Sequence, residues 1–238
     1  MASVLARIDA ERQLIVSEHG LHIRTIETGA LDLVTPIEND RPEMRSNDGR
    51  IHPSGALWYG TMTKTGEGRK GAGTIYHVAQ GKVTVLYPNI SIPNGICFSP
   101  DGATGYFVDT MENLYMKVAL DPATGLPVGE PEVFADERGG PGGVDGSVCG
   151  ADGTIWNARW GVGEIHHYAT DGSKLAVYKL PPAQTTCPAF IGQNADRLLV
   201  TTAGEGLDAE ALKADPEAGF TYELGIPVKG VFEPAYKI

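Results

Sequence analysis

The sequence predicts an all-β fold, and within that class a β-propeller, on three observations. Apolar and polar residues alternate with period two along many short runs, as half-buried strands require. The chain carries 31 glycines and 16 prolines in 238 residues, a supply of turn formers that suits many tight connections. A repeat also runs along it, with equivalent residues Asp48, Asn94 and Asp145 spaced by 46 and 51 positions. Four short strands in a period of that size describe a propeller blade.

The units follow in order. Residues 4–37 form a weaker first unit, with strand-like runs Gln13 to Ser17 and His22 to Ile26. The second opens at Asp48-Gly49, passes Ser54-Gly55 into Ala56-Leu57-Trp58, and continues through Gly73 to Val78 and Val83 to Tyr87. The third runs from Asn94-Gly95 through Asp101-Gly102 to Tyr106-Phe107, then Leu114 to Leu120 and the turn at Asp121 to Gly125. The fourth runs from Asp145-Gly146 through Asp152-Gly153 to Ile155-Trp156, then Gly163 to Tyr168, Asp171-Gly172 and Leu175 to Tyr178. A fifth begins near Pro188-Ala189-Phe190 and includes Arg197 to Thr202. Asx-Gly and Ser-Gly pairs suit tight turns because glycine tolerates positive φ. One helix is expected, Leu207 to Ala214, with Asp208 placed to cap it. The expectation is a single propeller domain over residues 1–238 with about five blades.

Composition narrows the function. The net charge of −11 disfavours nucleic acid and anionic membranes as partners, since both are held mainly by Lys and Arg. Three cysteines, Cys97, Cys149 and Cys187, form no Cys-x-x-Cys pair, which argues against a disulfide framework or a structural zinc site. No run reaches the apolar length of a membrane span, and residues 1–30 lack a signal-peptide pattern, so a cytoplasmic protein is the default expectation.

In a propeller the first strand of each blade lines the central channel, so residues at one repeat position converge in space. Asp48, Asn94 and Asp145 are thereby expected around one mouth of the channel, near Arg45 and Asn47. Taken singly, each Asx-Gly pair is a turn former. Together, their carboxylate and amide oxygens are hard ligands suited to calcium, magnesium or manganese, with zinc less favoured in the absence of nearby His or Cys. His166 and His167 are neighbours in a strand, so they point to opposite faces and do not share an ion. Trp58 and Trp156 are read as packing residues, Trp160 as one that could border the mouth, and Glu67 as a loop charge within reach of a ligand hydroxyl.

These residues carry a family resemblance. Arg45-Ser46-Asn47-Asp48-Gly49 with Pro53-Ser54-Gly55 and Trp58 to Met62 is similar to the R-x-N-D-G…D-P-x-G-x-x-W-x-G-T-M block of SMP-30/gluconolactonase/regucalcin-like proteins. Pro93-Asn94-Gly95 through Ser99-Pro100-Asp101-Gly102 to Asp109-Thr110, and Val144-Asp145-Gly146 through Asp152-Gly153 to Trp156, resemble two further blocks in the same order. Thr185-Thr186-Cys187 and Val200 to Ala203 continue the match, which spans nearly the whole chain.

The resemblance implies a six-bladed propeller that holds one divalent cation, calcium foremost, and hydrolyses a sugar lactone. It implies Asn94 and Asp145 as metal ligands, Asp145 also as general base, and Arg45 and Asn47 as substrate-binding residues. The family's first blade carries a G-E-G-P motif whose glutamate is a third ligand; no such motif is present, and neither Glu11 nor Glu18 sits in a comparable context. The expectation is therefore a chain that lacks the N-terminal blade. A non-catalytic, cation- or ligand-binding propeller is the alternative that this departure supports. His52 and Gly143 stand where the family has Asp and Pro.

Overall fold

The computed structural model describes residues 1–238 as five antiparallel sheets. The first holds β1 (Ala2–Arg7), β2 (Arg12–Ser17), β3 (Gly20–Thr25) and β4 (Leu31–Pro36). The second holds β5 (Met44–Ile51), β6 (Leu57–Thr63), β7 (Gly73–Ala79) and β8 (Lys82–Ile90). The third holds β9 (Pro93–Phe98), β10 (Thr104–Asp109), β11 (Leu114–Ala119) and β12 (Glu132–Asp136). The fourth holds β13 (Gly143–Cys149), β14 (Ile155–Trp160), β15 (Glu164–Tyr168) and β16 (Lys174–Lys179). The fifth has three strands, β17 (Thr185–Ile191), β18 (Arg197–Thr202) and β19 (Thr221–Glu223). Each sheet is a meander whose strands lie in chain order, the arrangement of a propeller blade.

The inner strands pack in series, β1 on β5, β5 on β9, β9 on β13 and β13 on β17, while β17 and β1 share no comparable contact. Apolar side chains fill the wedges between blades. Val4, Leu14, Val16 and Leu21 meet Ile51, Leu57 and Tyr59 between the first two sheets. Trp58, Ile75, Ile96 and Phe107 join the second to the third. Trp58 is fully buried and donates its indole Nε1–H to Gly125 O at 2.9 Å, so its role is packing, as expected. His52 likewise bridges two blades, hydrogen-bonding Ser54 Oγ and Gly102 O at 2.9 Å.

The opposite face of the first sheet is open. Register places Leu5, Ile15, His22 and Leu33 in one row across its four strands, and Leu5 and Leu33 are 66% and 44% exposed.

The helix α1 (Ala209–Ala214) starts two residues later than expected, with Asp208 as its cap accepting from Glu210 N and Ala211 N. It is too short to cross a membrane, and no other helix is present. After β19 the chain crosses the end of the channel where β5 finishes. Along this tail Ala151 N donates to Lys229 O, Tyr236 N to Arg7 O and Lys237 N to Gly55 O, at 2.8, 2.8 and 3.0 Å. The tail thus ties the fifth sheet to the fourth, first and second.

The turn that each Asx-Gly pair suggests by itself does not form. Asp48-Gly49, Asn94-Gly95 and Asp145-Gly146 are not hairpin turns; they lie inside β5, β9 and β13, where the register to the next strand slips. Glycine is needed there for close approach, because a Cβ on Gly49 would sit 2.7 Å from Tyr59 Cβ and one on Gly146 2.7 Å from Cys187 Sγ. The true turns are the later pairs, such as Gly102 (φ +72°) and Gly172 (φ +88°).

Candidate active site

The three slips in register explain how the polar residues reach the channel. A bulge gives one strand an extra residue and re-aims the side chains beside it. In β5 the slip spans Ser46 to Gly49, in β9 it follows Asn94, and in β13 it spans Val144 to Ser147. Around the mouth, Arg45, Asn47, Asn94 and Asp145 line one cavity of about 610 Å³. All four sequence-predicted site residues are therefore brought together.

A chain of hydrogen bonds fixes them. Arg45 Nη1 donates to Asn47 Oδ1 at 2.8 Å. Asn47 Nδ2 donates to Asn94 Oδ1 and Pro93 O, both at 2.9 Å. Asn94 Nδ2 donates to Thr110 Oγ1 at 2.9 Å, and that hydroxyl donates to Val144 O, next to Asp145, at 2.7 Å. The chain runs across three blades and holds each amide in one orientation.

Asp145 accepts Gly146 N–H through Oδ1 at 2.9 Å, and its Oδ2 has no protein partner. Burial holds this carboxyl well above the ordinary carboxylate range; Asp48 adds to the effect, and Gly146 N–H and Arg45 oppose it. Burial also lowers Arg45, Arg69 pulls in the same direction, and Glu205 and Asp145 oppose.

Asp48 does not reach the mouth. Its Oδ2 accepts Ile96 N and its Oδ1 accepts Gly49 N, both at 2.8 Å, so it clamps β5 to β9 below the cavity. Burial raises its pKa, and Arg50 and the two N–H groups oppose. Arg50 lies beneath. It donates to Ile96 O, Ser147 O and Glu233 Oε1 at 3.3, 2.8 and 2.7 Å, joining three inner strands or their tail.

Other candidates fall away. Glu67 is exposed and outside the cavity, while Arg69, two residues on, lines it. Glu18 is paired with Lys64. His166 is buried between Tyr168 Oη and Glu164, and His167 stacks on Trp156 at 3.7 Å, so both histidines are packed. Trp160 borders the mouth, as do Glu205 and Gln184, which the repeat did not mark. At the far end a smaller cavity of about 290 Å³ is walled by apolar groups and the tail, without a catalytic set.

Donor chemistry tests whether a divalent cation suits this site. Asn94 Oδ1 and the Asp145 carboxylate are hard oxygens on residues that line one cavity, which fits calcium in kind. They are only two, and no group of three His, Cys, Asp or Glu side chains could hold a metal.

Residues 1–204 match the family model described as SMP-30/Gluconolactonase/LRE-like region. Over all 238 residues the chain is 57% identical to a putative sugar lactone lactonase of Rhizobium meliloti strain 1021, of which it covers 80%. It is 34% identical over 196 residues, 82% of this chain, to an L-arabinolactonase of Azospirillum brasilense and spans 64% of that protein. The crystal structure of a calcium-binding protein, regucalcin, from Agrobacterium tumefaciens strain C58 superposes with a TM-score of 0.98 at 60% identity. The match covers 100% of this chain and 80% of that one.

Proposed function

The chain belongs to the SMP-30/gluconolactonase/LRE-like family, and on that premise we propose that it hydrolyses sugar lactones with the help of one divalent cation. The observation that carries this reading is the convergence of Arg45, Asn47, Asn94 and Asp145 on one polar cavity. The lactonase names of its relatives support the reaction class.

Asn94 and Asp145 would hold the cation, leaving other positions to water and substrate. Calcium suits these ligands best, with zinc, manganese and magnesium as open alternatives. Bound there, a cation supplies Lewis-acid polarisation of a carbonyl and stabilises negative charge on its oxygen. The rest belongs to the protein. Asp145 accepts a proton from the attacking water at Oδ2, the oxygen free of protein partners. Arg45, charged at any working pH, donates to oxygens of the sugar. Asn47 has both ends of its amide engaged, so it positions Arg45 and Asn94 as well as contacting substrate. No serine nucleophile is required.

We read residues 1–238 as one propeller domain, related to the last five blades of a six-bladed ring. In that reading β1 and β17 flank the position of a further blade, which would bring a third carboxylate to the cation.

The deciding assay is hydrolysis of glucono-1,5-lactone with calcium, manganese or zinc, and with EDTA, for the wild type and Asp145→Ala. Turnover that needs both metal and Asp145 is expected. Turnover independent of either would reject the mechanism; bound metal without turnover would make the protein a cation-binding propeller.

A further inference from the structure

We propose that Arg69 selects lactones that carry an anionic group away from the ring carbonyl, making this an acidic-sugar lactonase site. The inference rests on the lactonase reading and adds the substrate's charge.

Arg69 sits in the loop between β6 and β7 and lines the same cavity as Arg45 and Asp145. The loop is built to hold it there. Gly68 and Gly71, at φ +65° and +66°, fold the chain back on itself. Gly71 N donates to Ser91 Oγ at 3.0 Å, and Arg41 Nη2 donates to Ala72 O at 3.4 Å. The guanidinium itself has no protein partner. It makes no ion pair within 4.0 Å and no side-chain hydrogen bond, and its Nε is shielded from solvent without an acceptor.

Two features make that arrangement informative. A shielded N–H without an acceptor is costly, and a bound ligand is one way to satisfy it. Arg69 also lines this cavity together with a second guanidinium, Arg45, whose pKa burial and then Arg69 lower, so two like charges share one cavity. Glu205 lines the cavity too but pairs with neither arginine. An anion between them relieves both problems. The planar fork of a guanidinium matches two oxygens on one atom, which a carboxylate, sulfonate or phosphate presents and a neutral sugar hydroxyl does not. Arg45 stands beside Asn47 and Asn94 near the reacting end; Arg69, on a separate loop, is placed for the remote end.

The test compares glucono-1,5-lactone with 6-phosphoglucono-1,5-lactone and glucaro-1,4-lactone, for the wild type, Arg69→Gln and Arg69→Lys. The ratio of kcat/KM for an anionic over the neutral lactone is expected to fall about ten- to a hundredfold in Arg69→Gln, the worth of a hydrogen-bonded charge contact. Arg69→Lys should recover part of it. The phosphate and carboxylate arms show which anion the site prefers. Equal losses on neutral and anionic lactones, or no change in the ratio, overturn the proposal. Should the wild type hydrolyse no lactone, the lactonase reading fails on its own. Calorimetry with 6-phosphogluconate and gluconate then decides: tighter binding of the phosphorylated acid that Arg69→Gln abolishes upholds the anion contact, and equal binding overturns it.

Discussion

Asn47 donates its side-chain amide to Asn94 Oδ1 at 2.9 Å, so a residue of the second sheet fixes the orientation of a candidate ligand in the third. With Oδ1 committed to Arg45, the Asn47 amide cannot flip without losing both bonds. Asn47→Ala should therefore release Asn94 and Arg45 together. Lactonase kcat/KM is expected to fall about 10- to 100-fold, with a parallel loss of calcium affinity, the usual effect of removing a partner behind a ligand. Kinetics and calcium titration check this; normal calcium affinity in Asn47→Ala would remove Asn47 from the ligand's support.

Asp145 carries a stability cost that follows from its surroundings. Its folded pKa is raised, so its contribution is favourable below the unfolded value near 4 and is lost as pH rises through the folded value. Asp145→Asn keeps an acceptor for Gly146 N and removes the charge. In EDTA at pH 7 this variant should be more stable by about 1–2 kcal/mol, the gap closing as pH falls towards 4. Urea unfolding at the two pH values measures it, and a gap that widens on acidification would contradict the assigned direction.

Arg50 and Glu233 form an ion pair at 2.7 Å with unequal burial, 14% and 50% side-chain exposure. Arg50→Ala should cost about 3–5 kcal/mol, since it strips donors from Ile96 O and Ser147 O inside the channel. Glu233→Gln should cost no more than about 1 kcal/mol, because its carboxylate is half in water. Equilibrium unfolding of both variants tests the order.

The thiols should be inert in the folded protein. Burial pushes Cys149 up to about 12 and Cys187 up to about 11, and holds Cys97 well above the ordinary thiol value, so little thiolate exists near neutrality. Iodoacetamide at pH 8 is expected to label all three after unfolding and none before, as read by mass spectrometry.

The blades and the meeting of Asn94 and Asp145 at one cavity were legible in the sequence because both rest on a repeat. Asn94 and Asp145 recur at one position of successive units, and the bulge that aims them recurs too. Asp48 holds that same repeat position yet lies deeper, because the slip in β5 opens one residue earlier relative to the Asx-Gly pair than the slip in β13, so that Asn47 takes the place Asp145 has there. Arg69 and Glu205 were missed for a plain reason. They belong to loops that occur once, and no periodicity marks a loop. Taken singly, each Asx-Gly pair also suited a turn, because local preference cannot distinguish a turn from a crowded bulge; only the neighbouring Tyr59 and Cys187 reveal the crowding.

The tail beyond β19 leaves the molecule on the side of Gly55 and Glu233, while Arg45 and Asp145 open on the other. A polypeptide fused after Ile238 would emerge behind the working face. Anchored to a bead or chip by that end, the protein would present its entrance to the bulk solution.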